Sequence, residues 1–88
     1  MTSSQANLET ARKRLTWRAS HRGTRELDLV VGGFVRARAT AMTVGEIAEL
    51  EELLELPDDL LQAWLTKSAA VPPEQDSALL QDLLSYRP

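Results

Sequence analysis

Eighty-eight residues without a cysteine make one small domain that neither disulfides nor thiolate metal sites can staple. Hydrophobic content of 43% and charged content of 26% are ordinary for a soluble globular chain, and no apolar run approaches the roughly 20 residues needed to cross a bilayer. The net charge of −3 hides an asymmetry: residues 1–42 carry eight Lys/Arg against three Asp/Glu, and residues 43–88 carry two against ten. That split predicts either a bipolar surface or two poles that pair within the fold, and charge alone leaves both open.

In chain order, Asn7 to Trp17 places Leu8, Ala11 and Leu15 at intervals of three and four, the spacing of a short amphipathic helix. Ser20 or Thr24 suits the cap of a second helix, and Gly23 loosens the backbone at the junction. Leu27, Val30, Val31, Phe34 and Val35 form the inner stripe of that helix. Gly32-Gly33 inside it costs about 1 kcal/mol per glycine relative to alanine, which points to a close helix approach or a bend. Thr43-Val44-Gly45-Glu46 is a capping box opening a third helix, with Ile47, Leu50, Leu53 and Leu54 inside and Glu46, Glu49, Glu51, Glu52 and Glu55 outside. Pro57 breaks that run and suits the first turn of a fourth helix, with Asp58 and Asp59 at its positive end and Leu60, Leu61, Trp64 and Leu65 on its apolar face. After Val71-Pro72-Pro73, the clearest break, Leu79, Leu80, Leu83 and Leu84 fit a short last helix. The expected fold is all-α, a single-domain five-helix bundle over residues 8–88 behind a flexible N-terminus at 1–7.

The residue inventory argues against catalysis. His21 is the only histidine, no serine stands in a nucleophile elbow, and no Gly-rich loop follows a strand. The acidic spacing matches neither a calcium loop nor a His-rich metal site, so no metal or catalytic residue is assigned. The glutamates of the third helix read as a solvated face.

Residues 17–28 stand out instead, with six ionisable side chains and a glycine packed in front of an apolar run. The pattern Trp17-Arg18-x-x-x-Arg22-Gly23-x-x-Glu26-Leu27-Asp28, with Phe34 following, resembles the small flavinylation assembly factors of succinate dehydrogenase, the SdhE family of bacteria and its mitochondrial relatives. Leu53-Leu54 followed by Asp58, Leu61, Trp64 and Leu65 is similar to a second segment of the same family. The resemblance covers residues 8 to 67.

This resemblance implies a five-helix assembly factor, or chaperone, that binds the flavoprotein subunit of succinate dehydrogenase, and in some bacteria that of fumarate reductase. It implies that the factor promotes covalent attachment of FAD to that partner; with no pocket-forming motif in the sequence, the chain itself is not expected to hold FAD stably. The matching positions make Arg22, Gly23 and Glu26 the main partner-binding candidates, with Arg18 and Asp28 flanking them as contact or supporting residues. On a continuing helix Arg22 and Glu26, four apart, would emerge on one face, facing a partner or pairing with each other. Gly23 admits two readings, a position where a side chain would block the partner and a helix-terminus glycine. Trp17 is an interface anchor or a core residue, whereas Trp64 is expected in the core. Arg14 and Arg25 extend the basic patch. His21 stands where relatives carry arginine, which predicts a mildly pH-dependent contact. Leu50 replaces an aromatic common in relatives, a change expected to be absorbed in the core.

Met1 to Leu15, with three basic residues and Glu9 as its one acid, has the charge of a transit peptide. The family-like segment nevertheless begins almost at once, so a cytoplasmic bacterial protein is the simpler expectation. The alternative function is that of an antitoxin-like interaction protein. Nucleic acid is not expected as a partner, because the chain is acidic and lacks an aromatic-basic platform, and membrane insertion is not expected either.

Overall fold

The computed structural model describes residues 2–88, with side chains from Asn7 onward. It contains helices α1 (Thr2–Ser20), α2 (Arg25–Arg38), α3 (Val44–Leu53), α4 (Asp58–Leu65) and α5 (Ala78–Ser85), with a 3₁₀ turn at Ala39–Ala41. No strand occurs among the described residues, and the all-α five-helix expectation holds. Helix α1 outruns its predicted span at both ends, since apolar periodicity marks only the stretch that packs. The expected flexible N-terminus falls on Met1, outside the described residues, and on the opening turns of α1.

Local chemistry explains most boundaries. Thr24, not Ser20, caps α2, its hydroxyl accepting from the Leu27 amide at 3.2 Å; such caps contribute about 1 kcal/mol. Ser20 ends α1, and its hydroxyl accepts instead from Arg36 Nη1 at 2.7 Å. The capping box of α3 is complete, with Glu46 N to Thr43 Oγ1 at 3.1 Å and Thr43 N to Glu46 Oε1 at 3.0 Å. Pro57 sits one place earlier than predicted, at the N-cap of α4, where its carbonyl accepts from the amides of Leu60 and Leu61. A Schellman turn ends α4: Ser68 N bonds Ala63 O, Lys67 N bonds Trp64 O, and Lys67 takes φ 63°, a place usually given to glycine. Ser77 caps α5 and donates its hydroxyl to Glu49 on α3.

Helix α1 packs chiefly against α2 and also along α3. Leu15 and Ala19 of α1 meet Leu27, Val31, Phe34 and Val35 of α2, with Ile47, Leu50, Leu61, Trp64, Leu80 and Leu83 completing the core. Trp64, 3% exposed, and Leu50 are core residues as expected. A Cβ on Gly32 would sit 2.8 Å from Ser20 Oγ and 3.0 Å from Ser20 Cα, so the close-approach reading is the right one, and α2 runs through without interruption. Gly33 faces the ring of Tyr86, which packs edge-on against Phe34 with centroids 5.9 Å apart.

Candidate functional site

The motif segment forms the end of α1, a four-residue loop and the first turn of α2. Arg22 lies in that loop, and its side chain is only 10% exposed. Its Nε donates to Asp58 Oδ1 at 3.0 Å, Nη1 to the Leu54 carbonyl at 2.7 Å, and Nη2 to the Leu56 carbonyl at 3.2 Å. The Nη2–Asp58 distance is 2.8 Å. Leu54 caps the C-terminal end of α3, where carbonyls lack helical partners and a cation is favoured. The Arg22 amide also donates to Asp28 Oδ1 at 2.6 Å. One residue thus ties the α1–α2 loop to both the α3–α4 turn and the start of α2.

This corrects the expectation that Arg22 and Glu26 emerge together on one helix face. Arg22 precedes α2 rather than continuing α1, and its planar head is taken up by a carboxylate and two carbonyls inside the molecule. Asp28 supports the loop through its bond to the Arg22 amide. Gly23 has φ +104°, in the left-handed region, and the nearest atom to a Cβ there would be Asp58 Oδ2 at 3.6 Å. Backbone conformation rather than crowding within the chain calls for glycine at this position.

Trp17 and His21 face outward. Trp17 is 63% exposed, so it is not the core residue of one alternative. The rings of Trp17 and His21 stack with centroids 4.3 Å apart and 15° between planes. His21 Nδ1 lies 2.6 Å from the Trp17 carbonyl, which only accepts, so Nδ1 carries the hydrogen and holds the imidazole over the indole. Glu26 is exposed in the first turn of α2, without a hydrogen-bond or salt-bridge partner among the described residues. Leu29, one turn on and 47% exposed, adds an apolar contact that periodicity does not flag.

Arg18 binds Glu55 at 2.6 Å and Arg14 binds Glu51 at 3.3 Å. With Arg22–Asp58 these pairs form a ladder that starts between α1 and α3 and ends between the α1–α2 loop and the start of α4, with its arginines four residues apart. Arg38–Asp82, at 3.5 Å, is a further pair between the basic and acidic halves. Much of the charge asymmetry is therefore neutralised inside the fold. The sequence signal for this was present: Arg14, Arg18 and Arg22 repeat every four residues, as do Glu51 and Glu55. Asp58, read from sequence as a favourable helix-start charge, is also the main partner of Arg22.

Among the described residues no group of three or more His, Asp and Glu is placed to share a metal ion, and no helix is long and apolar enough to cross a membrane. What remains is a shaped, polar and aromatic protein surface.

The family model described as flavinator of succinate dehydrogenase matches residues 13–87. The FAD assembly factor SdhE of Acetobacter pasteurianus is 42% identical over 78 residues, 89% of this chain and 72% of that protein. A mitochondrial succinate dehydrogenase assembly factor 2 from Dictyostelium discoideum is 30% identical over 76 residues, 86% of this chain and 54% of the relative. Its counterpart in Arabidopsis thaliana is 34% identical over 76 residues and is spanned to 40% of its length. No solved structure gives a significant match. With the family model covering most of its length, and its motif loop built around Arg22 and Gly23, the chain belongs to the flavinator of succinate dehydrogenase family.

Proposed function

We propose that this protein is a cytoplasmic assembly factor that binds the immature flavoprotein subunit of succinate dehydrogenase and promotes covalent attachment of FAD to it. The fumarate reductase flavoprotein, where present, is a second client of the same surface. Catalysis of bond formation belongs to the partner and its flavin, and this chain holds no stable FAD of its own. Its contribution is to fix the partner's domains so that the acceptor side chain meets the flavin.

The observation that carries this reading is the pinned loop. Arg22 spends its hydrogen bonds inside the fold, so the surface carrying Trp17, His21, Gly23 and Glu26 is held ready before the partner arrives. Preorganisation of this kind favours binding because little side-chain freedom is left to lose. Within it, Glu26 and the Trp17–His21 stack touch the partner. Arg18, Arg22 and Asp28 act by positioning, and the bare backbone of Gly23 permits close approach.

The test is covalent flavin on the succinate dehydrogenase flavoprotein, read by in-gel fluorescence, in a strain lacking this protein and complemented with wild type or Glu26→Ala. Loss in the deletion, restored by wild type and not by Glu26→Ala, is the expected result. Full flavinylation in the deletion strain would overturn the reading.

A further inference from the structure

On the side of α1 turned away from α3, a shallow groove runs between α1 and the 3₁₀ turn. Lys13, Thr16, Trp17, His21, Ala39 and Thr40 line it, and no carboxylate does. Its charge is the reverse of what the whole chain's net −3 would suggest. Lys13 is exposed and has no salt-bridge partner among the described residues, unlike Arg14 and Arg18 close by on the same helix. Arg12 lines the same groove, its Nη2 donating to the Met42 carbonyl at 3.2 Å while its buried Nε has no partner. Ser20, which also lines the groove, holds the Arg36 guanidinium at 2.7 Å. Arg12 and Lys13 therefore flank an apolar surface whose largest element is the exposed Trp17 ring, with Arg36 held behind Ser20.

We infer that this groove is the docking site for an acidic segment of the protein partner, one that lays an apolar side chain on Trp17 and sets a carboxylate against Lys13. This deepens the reading proposed above and rests on it. Charge complementarity decides the occupant: carboxylates are what this rim lacks, and an apolar tip is what the indole face accepts. A nucleic acid strand fits less well. The rim offers only Arg12 and Lys13, too few cations to track a long polyanion backbone.

The test uses the purified full chain and the succinate dehydrogenase flavoprotein subunit prepared without covalent flavin. Lys13→Glu reverses the charge at that position and Thr40→Tyr fills the groove without adding charge, both at exposed positions where folding is readily checked by circular dichroism. Lys67→Glu, the same charge change in the turn after α4, is the control. Each groove variant is expected to raise Kd about tenfold, with Lys13→Glu also flattening its salt dependence, while Lys67→Glu binds as wild type does. Wild-type binding with unchanged affinity in both groove variants would overturn the groove and leave the assembly-factor reading standing. Failure of wild type to bind the subunit at all would overturn both. Trp17 gives a direct optical report, since Trp64 is buried and Trp17→Phe isolates the exposed signal. A blue shift of that signal with a single-stranded oligonucleotide, and none with the subunit, would overturn the inference in favour of nucleic acid.

Discussion

The face of α1 that carries Arg14 and Arg18 meets Glu51 of α3 and Glu55 just after it, whereas the face that carries Lys13 and Trp17 meets water. Both faces are basic in sequence and lie on one helix. What separates them is the neighbour: α3 and the turn after it present Glu51 and Glu55 in register, while the 3₁₀ turn presents Ala39 and Thr40. The first face is used in holding the fold, and the second is left for a partner. Counting cations in a sequence cannot distinguish these uses, because the distinction lies in which residue some 37 positions away comes opposite.

The strongest way to break this comparison is at Arg22. Arg22→Ala strands Asp58 and two carbonyls, and is expected to cost about 3 kcal/mol, or about 12–24 °C in Tm by thermal melt. Arg22→Lys should recover less than half of that, since an ammonium cannot serve the same three acceptors in one plane. If Arg22→Ala instead melted like wild type but lost its partner, Arg22 would belong to the second face. Next in size is Trp17→Ala, expected to weaken binding to the flavoprotein subunit by about 30-fold while moving stability by less than about 0.5 kcal/mol. A large drop in Tm there would mean the stack on His21 is structural.

The closeness of α1 and α2 is tested more gently by the paired glycines. Gly32→Ala drives a methyl onto Ser20, including its backbone, and should cost about 1 kcal/mol net after the gain in helix propensity. Gly33→Ala meets only the Tyr86 ring, which can swing aside, and should lie within about 0.5 kcal/mol of wild type by urea unfolding. A similarly small effect is expected from Arg18→Ala. Its partner Glu55 is largely exposed, so the loss should stay under about 1 kcal/mol and vanish in high salt. A salt-independent loss of 2 kcal/mol or more would show the ladder acting as one unit.

Much of the fold was legible in the sequence. The apolar stripes of α2, α3, α4 and α5, the capping box at Thr43 and the breaks near Pro57 and Pro72 all depend on residues a few positions apart. Gly32 was legible in a weaker sense: its propensity cost predicted a close neighbour without naming Ser20. In the site, the exposed, unpaired state of Glu26 matched the reading from spacing, but Arg22 did not. An Arg-Gly-x-x-Glu string offers two charges four apart, and the structure places the first in a loop and the second in the helix that follows it. The groove beside Trp17 was invisible for a related reason. Its two walls are 23 residues apart at Trp17 and Thr40, and the motif that includes Trp17 says nothing of the second wall.

The anchoring of Arg22 makes recognition and folding separable in this molecule. A chain keeping Arg22, Gly23, Asp28 and Asp58 but carrying Trp17→Ser with Glu26→Gln would retain the described bonds of the loop while presenting a blank surface. That is an inert twin, equal in length and in melting behaviour and one negative charge short, against which any cellular effect of the intact surface can be measured. The same logic applies to sequences alone. The Arg-Gly pair certifies that the loop is built, and the residues around it report what the loop is for.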